Sequence, residues 1–547
     1  MVSKKRESKK ETFMQSILVL MASQVMIKLL GLLYKLYLTN KEGFGDTGNA
    51  IYNSGYQIYA LLLAISSIGV PNAIAKIISE RLAKGDNNGI KRVFRISIAF
   101  FSVIGLVGSL MLFFGAHYIS NVWLQIPESE LTIVALSPSI FFVSIISVIR
   151  GYFNGHQRMK ITANSQTLEQ VAKTVLTIIV VEIVSSITMK NVVMMAAGAN
   201  LATTLSILLS FLYLYRYYNF KKKDLRKETE GQELVGESYT RKSTKDIIKA
   251  VLTISIPMSI SSLVSTINKT IDSVTAVRGL KVFLSEEVAK FQYGIYTGKV
   301  DTLVGLPLSF NIAFATVLVP SIAKLLAKGE KKDAVDITKF SLLSTILIGL
   351  PCTFGMIVFS DQILHLLFPN APEGALLLQI TSLTIIFMMM AQTVNGVLQG
   401  IGKSHVPAIA LGCGVLVKLV LNIVLIPNPN FGINGLAIAS IVCHIISFTI
   451  GFIVLKNSLK IKFSFTDFVL KPGIATLIMC IASYGLYVLL AGIISWKIAI
   501  VISLLFAVVI YAFVVAIMKI FTKEDIYRLP KGEKIYKFLV KSGVYSE

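Results

Sequence analysis

Six lysines fall inside or at the ends of apolar stretches long enough to be membrane helices. They are Lys28, Lys35, Lys173, Lys269, Lys299 and Lys418. A charged side chain at the middle of a membrane helix costs about 2.5–3.5 kcal/mol on insertion scales, so such residues usually serve a function. Because lysine and arginine bind phosphate, an excess of intramembrane cations favours an anionic, phosphate-bearing substrate. We therefore predict that these six lysines face a substrate cavity.

Four carboxylates share these stretches and are candidates for ion coupling or gating: Asp272, Asp301, Glu169 and Glu182. A purely structural interpretation stays open for several of them. Lys299, Asp301 and Glu169 lie near predicted helix ends, where charges snorkel to the surface or pair. Lys269 and Asp272 are three residues apart and could form an ion pair on one helix face. Lys28 and Lys418 lie close to mid-membrane and are the strongest candidates for substrate binding.

The sequence contains no pattern typical of catalysis. There is no phosphate-binding P-loop and no G-x-S-x-G motif, and the five histidines are scattered without metal-ligand spacing. We predict that the protein is not an enzyme and has neither a metal site nor a cofactor. Without a nucleotide site, transport would be driven by an ion gradient (sodium or proton), the membrane potential or the substrate gradient.

Composition places these residues in a polytopic membrane protein. Of 547 residues, 54% are hydrophobic and only 15% are charged, against about 25% in an ordinary soluble domain. This excludes a soluble enzyme, a disordered chain and a fibre. The net charge of +23 lies mainly between the apolar runs, as the positive-inside rule expects, so we predict no binding of nucleic acid. Four cysteines all lie inside apolar runs, and no disulfide is expected.

Apolar stretches predict fourteen membrane helices in an all-α fold. They fall near 13–39, 51–79, 94–122, 131–150, 166–187, 191–215, 250–275, 300–326, 338–359, 375–400, 407–426, 433–455, 470–492 and 496–519. With both termini cytoplasmic, the external loops hold only six of the 53 Lys and Arg residues. That asymmetry supports the count and orientation, and it predicts a multi-pass plasma-membrane protein.

An internal repeat relates the two halves of the chain. At a shift of about 245 residues, the segment Gly151–Gly155 falls on Gly396–Gly400, and Lys173 falls on Lys418. Six predicted helices separate equivalent points, so the two copies share one orientation. Transporters built from parallel repeats bind their substrates near the interface of the repeats.

These observations predict five segments. They are a lobe of six helices at 1–215, a basic linker at 216–249, a second six-helix lobe at 250–455, two further helices at 456–519 and a cytoplasmic tail at 520–547. The linker is rich in lysine and arginine, so we expect a mobile cytoplasmic tether that is attracted to anionic lipid headgroups.

Several motifs together resemble a known superfamily across essentially the whole chain. They are Lys28-Leu-Leu-Gly-Leu-Leu-Tyr-Lys35, the segment Gly69–Glu80, Leu306-Pro307, Leu318-Val-Pro-Ser321 and, most specifically, the stretch from Arg150 to Gln170. The chain resembles the polysaccharide-exporter branch of the multidrug/oligosaccharidyl-lipid/polysaccharide (MOP) flippase superfamily. Within that branch it is most similar to the Gram-positive MurJ-type lipid II flippases and the stage V sporulation protein B group.

The resemblance implies a flippase for undecaprenyl-diphosphate-linked sugar, most specifically lipid II for peptidoglycan, in cell wall biogenesis or sporulation. It implies two six-helix lobes in a V around a cationic cavity, with helices thirteen and fourteen forming a groove for the lipid tail. Alternating access would move the headgroup outward. Membrane lipids and a coupling ion would be the other partners, and we expect a monomer.

The family's cavity arginines are only partly matched. Lys28 occupies the position of one first-helix arginine of Gram-negative members, and a second falls near Tyr34, beside Lys35. The second-helix arginine falls near Leu62. The eighth-helix arginine falls near Thr302, one turn from Lys299.

Three other functions remain open. One is export of another lipid-linked polysaccharide unit, related to capsule, teichoic acid or spore cortex. Another is antiport of drugs and cations by a MATE-type transporter, which the two additional helices and the surplus of intramembrane lysine disfavour. The third is a membrane glycan polymerase or ligase, which the short external loop near 276–299, lacking histidine, disfavours.

Overall fold

The computed structural model describes residues 26–27, 29–67, 69–227, 239, 242–461, 463–528, 532–541 and 544–545. Within these ranges the regular secondary structure is entirely helical. This follows from the composition, because a helix satisfies its own backbone hydrogen bonds where no water is available. The chain divides into two compact units: residues 1–299 with 421–433, and residues 300–420 with 434–547.

In the described part of the first unit, residues 29–40 are helical. Eight further α-helices follow: Gly45–Ser67, Gly69–Ala83, Asn87–Tyr118, Glu130–Gly155, Met159–Ile187, Val192–Lys227, Thr244–Leu280 and Glu286–Gly294. A π-helical segment, Ile295–Val300, follows the last of these. Capping side chains fix two of the starts. Asp86 accepts a hydrogen bond from the amide of Gly89, and Ser243 and Asp246 form a reciprocal capping box before Thr244.

The second unit contains the helices Asp301–Ala327, Lys331–Val358, Ser360–Leu367, Ala375–Gly400, Ile433–Leu459, Lys471–Ala491, Trp496–Ile517, Lys523–Arg528 and Gly532–Lys541. The helix Val406–Leu425 begins in the second unit, and its last residues cluster with the first.

Among the described residues, eleven helices are long and apolar enough to cross a membrane, or twelve when the bent helix Thr244–Leu280 is included. That helix bends by 58° between Pro257 and Ser262, where proline removes a backbone hydrogen bond. Most of the predicted first span, 13–39, lies outside the described residues, whereas Asp301–Ala327 covers the predicted eighth. The protein is thus a polytopic helical membrane protein, and the total of fourteen spans stays a prediction.

The internal repeat corresponds to the same local packing in each unit. A Cβ atom on Gly151 or Gly155 would lie 2.8 Å from Ile74 or Ile78 of the helix Gly69–Ala83. In the second unit, a Cβ atom on Gly396 would lie 2.7 Å from the carbonyl oxygen of Ala315. Glycines four residues apart let membrane helices approach closely, so both copies use their glycine pair for the same helix contact.

Helices extend into both ends of the predicted linker, 216–249. The helix Val192–Lys227 continues into the predicted linker, and the next helix begins at Thr244. Lysine, leucine and arginine are good helix formers, so the helix can extend past the apolar stretch. Charged residues indicate where an apolar span ends, but the helix itself can continue beyond that point.

Candidate functional site

The six predicted cations occupy different environments. Lys28 lies outside the described residues. Lys35 is half-buried and Lys269 is exposed. Lys173, Lys299 and Lys418 are buried, with Lys418 only 2% exposed. Their role in substrate binding stays a prediction, and the environment of each indicates what it can do.

Lys173 is held by aromatic rings. Its Nζ atom lies 4.4 Å from the ring centroid of Tyr56 and 5.1 Å from that of Tyr34. Tyr52 stacks on Tyr56 with a centroid distance of 6.1 Å. We call Lys173, Tyr34, Tyr52 and Tyr56 the lysine–tyrosine cluster. Aromatic faces attract a cation without cancelling its charge, so this buried ammonium group remains a source of positive potential.

Tyr52 and Tyr56 of this cluster were not predicted, although their spacing carried a signal. Tyr52, Tyr56 and Tyr59 follow one another at spacings of four and three residues, which places them on one face of the helix Gly45–Ser67. A run of tyrosines on one face of a membrane helix indicates a polar or cation-binding surface, because each hydroxyl needs a partner when it is buried.

Lys299 forms a buried ion pair. Its Nζ atom donates a 2.8 Å hydrogen bond to Oδ2 of Asp46, and both side chains are 0% exposed. Gly294 and Gly298 bring the two segments together, because a Cβ on Gly294 would lie 1.8 Å from the carbonyl oxygen of Asp46. The sequence allowed either substrate binding or a structural ion pair for Lys299, and this geometry favours the ion pair.

Lys290 and Glu286 add further ion pairs beside this contact. Nζ of Lys290 donates a hydrogen bond to Oε1 of Glu128 and lies 3.5 Å from Oε1 of Glu286. Glu286 also accepts a 2.8 Å hydrogen bond from Lys281. This hydrogen bond, together with the positive charges of Lys281 and Lys290, lowers the pKa of Glu286 below its usual value.

Asp272 is buried and accepts a hydrogen bond from Asn422. The Nδ2 atom of Asn422 lies 3.1 Å from Oδ1 of Asp272 and 2.9 Å from the hydroxyl of Thr275. Next to Asp272, the hydroxyl of Ser273 accepts a 2.7 Å hydrogen bond from Tyr293. The sequence analysis missed Asn422, although it lies one helical turn after Lys418.

Glu169 is paired with the arginine of the most specific motif. Nη2 of Arg150 lies 2.8 Å from Oε2 of Glu169 and donates to Ser210 at 3.2 Å, and Nε donates to Ser165 at 3.0 Å. Buried polar groups that satisfy one another in this way fix the packing of helices. The contacts of Glu169 therefore favour a structural role for this residue.

The two remaining carboxylates lie at helix ends. Glu182 is exposed, accepts a 2.6 Å hydrogen bond from Tyr37 and lies 2.5 Å from Nζ of Lys41. Asp301 is half-buried in the first turn of Asp301–Ala327, where a negative charge is favourable. Their predicted part in ion coupling or gating stays a prediction.

A polar network in the second unit was not predicted. The amide nitrogen of Asn311 donates to the carbonyl oxygen of Met389 at 2.8 Å and to Gln392 at 3.0 Å. The hydroxyls of Thr345 and Thr393 lie 2.7 Å apart. These residues bridge the helices Asp301–Ala327, Lys331–Val358 and Ala375–Gly400, and each has a partner within the network, as buried polar groups require.

A clamp fastens the end of the linker to the first unit. Oδ2 of Asp86 accepts a 2.8 Å hydrogen bond from the backbone amide of Tyr239. The guanidinium of Arg81 lies 3.9 Å from the centroid of the Tyr239 ring, and Nζ of Lys242 lies 4.7 Å from it. We call Arg81, Asp86, Tyr239 and Lys242 the linker clamp. It fixes the point from which the helix Thr244–Leu280 starts.

No group of three or more His, Cys, Asp or Glu residues that could hold a metal ion occurs among the residues the structure describes. The sites above consist of lysines, tyrosines, amides and paired carboxylates. Such groups bind and orient an anion or a small cation.

Comparison with known proteins identifies two family models in the chain. The model for "Polysaccharide biosynthesis protein" matches residues 13–326, and the MatE model matches residues 293–424. The chain is 25% identical to the stage V sporulation protein B of Bacillus subtilis, over 95% of this chain and 98% of that protein. It is 26% identical to the lipid II flippase MurJ of the same organism, over 76% of this chain and 77% of the relative.

The fold matches a solved structure described as lipid II flippase MurJ in an inward closed conformation. The TM-score is 0.67 and the sequence identity is 16%, and the match covers 92% of this chain and 98% of the other. At this identity the likeness concerns the fold alone.

Proposed function

The chain belongs to the polysaccharide biosynthesis protein family, and from that premise we propose that it is a flippase that moves a lipid-linked glycan across the membrane by alternating access. It is a membrane transporter of the MOP superfamily, and those of its relatives whose names state an activity are flippases and transporters. The specific substrate that we propose is undecaprenyl-diphosphate-linked sugar, with lipid II of peptidoglycan synthesis as the leading candidate.

The observation that carries this proposal is the lysine–tyrosine cluster. In Gram-negative members of the family that this chain resembles, the first helix carries two arginines. Tyr34 lies near the position of the second. Here Nζ of Lys173 is 5.1 Å from the centroid of the Tyr34 ring. A cation supplied by another helix thus lies beside the position where the arginine side chain is missing. A diphosphate needs positive charge at that place, whichever helix provides it.

Two further lysines agree with an anionic substrate. Lys418 is buried within a membrane span. Lys269 is exposed on the Ser262–Leu280 part of a membrane helix. An ammonium group is strongly disfavoured against lipid chains, so we infer that Lys269 faces water. Lys299, by contrast, is bonded to Asp46, and we assign it to structure instead of substrate.

The test is depletion of the protein in its host, followed by mass spectrometry of undecaprenyl-linked intermediates. We expect lipid II, or a spore-cortex equivalent, to accumulate. If lipid II is exported normally while another lipid-linked glycan accumulates, that other glycan is the substrate. If no lipid-linked glycan accumulates, the proposal is wrong.

A matched pair of variants connects the cluster to transport. In cells lacking their own lipid II flippase, Lys173→Met should abolish complementation while the protein remains in the membrane. The control Lys456→Met removes an exposed lysine near the end of Ile433–Leu459 and should complement fully. Complementation by Lys173→Met would exclude Lys173 from substrate binding.

Drug antiport is the second candidate, because the MatE model matches residues 293–424. It predicts altered susceptibility to cationic drugs on deletion, with no change in lipid intermediates. We further propose that both termini are cytoplasmic, that the protein acts as a monomer, and that sodium or proton movement or the membrane potential drives transport.

A further inference from the structure

A groove of about 480 Å³ runs along the first half of the helix Thr244–Leu280. It is lined by Lys245, Ile248, Lys249, Leu252, Thr253, Ile256 and Pro257. The two lysines are exposed and lie at the start of the helix, whereas Leu252, Ile256 and Pro257 form an apolar wall further along. Lys245 and Lys249 are four residues apart, so they occupy one helix face.

The opposite face of this helix is buried against its neighbours. Ile247, Val251, Ser255 and Ser259 are buried. A Cβ atom on Gly69 would lie 2.2 Å from the carbonyl oxygen of Ser255, so the two helices are in close backbone contact. The groove therefore faces away from the helix Gly69–Ala83, and the linker clamp holds its lysine end in place.

Asp246 is the carboxylate nearest to the two lysines in the sequence, and its hydrogen bonds are made with Ser243. It accepts hydrogen bonds from the amide of Ser243 at 3.3 Å and from its hydroxyl at 2.9 Å. Close by, Arg92 donates a 2.9 Å hydrogen bond to the carbonyl oxygen of Lys242. With Lys245, Lys249 and Arg92 against the single carboxylate of Asp246, these residues give the lysine end of the groove an excess of positive charge.

The length and polarity of the groove match one kind of ligand. At 1.5 Å per residue, Lys249 and Pro257 are about 12 Å apart along the helix, so cationic and apolar ends are separated by much of a lipid leaflet. Lysines at positions i and i+4 have Cβ atoms about 5–6 Å apart, which lets two ammonium groups contact two linked phosphates. The complementary molecule is a lipid with a diphosphate head and a hydrocarbon chain.

We propose that this groove is a docking site for the diphosphate and the first part of the isoprenoid chain of a lipid-linked substrate, with Lys245 and Lys249 binding the phosphates and Leu252 and Ile256 the chain. The inference rests on the proposed function. It adds a site of first contact, at the predicted cytoplasmic end of a membrane helix, that is distinct from the six intramembrane lysines.

The test measures binding of undecaprenyl diphosphate to the purified full-length protein by native mass spectrometry, with phosphatidylglycerol as the comparison lipid. Lys245→Gln with Lys249→Gln should weaken binding of the diphosphate lipid by about tenfold or more, because charge-assisted hydrogen bonds are lost. Binding of phosphatidylglycerol should change little. Lys245→Arg with Lys249→Arg should bind like the natural protein.

Two further variants test the site. Lys331→Gln with Lys332→Gln removes two exposed lysines at the start of another membrane helix and should leave binding unchanged. Ile256→Asn should weaken binding of undecaprenyl diphosphate while leaving binding of inorganic diphosphate unchanged. If it weakens neither, the apolar half of the proposal is wrong.

The result that overturns the docking site is an unchanged affinity of the Lys245→Gln, Lys249→Gln protein for undecaprenyl diphosphate. A parallel loss of phosphatidylglycerol also overturns it, since the groove would then bind bulk anionic lipid. Failure of the proposed function looks different. In that case the natural protein neither complements a flippase mutant nor changes lipid intermediates on depletion, whatever the groove binds.

Discussion

Lys299 and Asp46 are 253 residues apart in the sequence, yet Nζ of Lys299 lies 2.8 Å from Oδ2 of Asp46, with neither side chain exposed. The pair joins the start of the helix Gly45–Ser67 to the π-helical segment Ile295–Val300. Single π-helical turns are frequent at functional sites.

Removing one partner of this pair should destabilise the protein far more than removing both. Lys299→Met or Asp46→Leu alone leaves a buried charge and should lower the free energy of unfolding by about 3–5 kcal/mol. The double variant should be close to the natural protein. Thermal unfolding of the purified protein measures this, and additive effects of the two changes would contradict the expected coupling.

The glycines beside the pair should tolerate no side chain. Gly294→Ala places a Cβ atom 1.8 Å from the carbonyl oxygen of Asp46 and should destabilise the protein by roughly 1–3 kcal/mol through overpacking. Gly305→Ala is the matched control, because no atom lies within 4 Å of the added carbon. Equal unfolding temperatures for the two variants would show that this close approach is absent.

The ring of Tyr56 should stabilise Lys173 through its face rather than through its hydroxyl group. Tyr56→Leu removes the ring 4.4 Å from Nζ and should destabilise the protein by roughly 2 kcal/mol, the scale of a desolvated cation–π contact. Tyr56→Phe keeps the ring and should cost much less. Thermal unfolding distinguishes the two, and a Phe variant as unstable as the Leu variant would assign the effect to the hydroxyl.

Acid should loosen the segment around Glu286 only below the normal titration range of glutamate. Its pKa is lowered in the folded protein by Lys281 and then Lys290, so its stabilising effect is fully present above about 4.3, the value of a free glutamate. The effect is lost as pH falls through the lower folded value. Hydrogen exchange of residues 281–294 should show this, whereas Glu286→Gln should already exchange faster at neutral pH.

The linker clamp should depend on the ring of Tyr239. Tyr239→Ala removes the contact with Arg81 at 3.9 Å and should speed hydrogen exchange at residues 242–250. Tyr239→Phe keeps the ring and the backbone hydrogen bond to Asp86, so its exchange should match that of the natural protein. Identical exchange in the Ala variant would exclude the clamp as the anchor of the helix Thr244–Leu280.

The sequence predicted the helical membrane fold because long apolar runs can be recognised from the residue types alone, without knowing which residues are in contact. Helices overlap each predicted span after the first, and several begin before the apolar stretch, as Asn87–Tyr118 does relative to the predicted 94–122. The glycine pairs of the repeat were visible as a pattern, and the contacts they make at Ile74 and Ala315 account for that pattern.

Partners across long sequence distances could not be predicted. Charge alone marked Lys299, but its pairing with Asp46 depends on how the chain folds back on itself. Lys173 was identified as an intramembrane cation, whereas the aromatic rings that hold it come from two helical segments more than a hundred residues earlier. Spacing shows which residues share a helix face, and only packing determines which faces meet.

The two carboxylate oxygens of Asp86 accept hydrogen bonds over very different sequence distances. Oδ1 accepts from the amide of Gly89, three residues onward, whereas Oδ2 accepts from Tyr239, 153 residues onward. A single carboxylate therefore both caps the helix beginning at Asn87 and holds a segment that follows the helix Val192–Lys227. One substitution, Asp86→Ala, would remove a local helix cap and a long-range tether together.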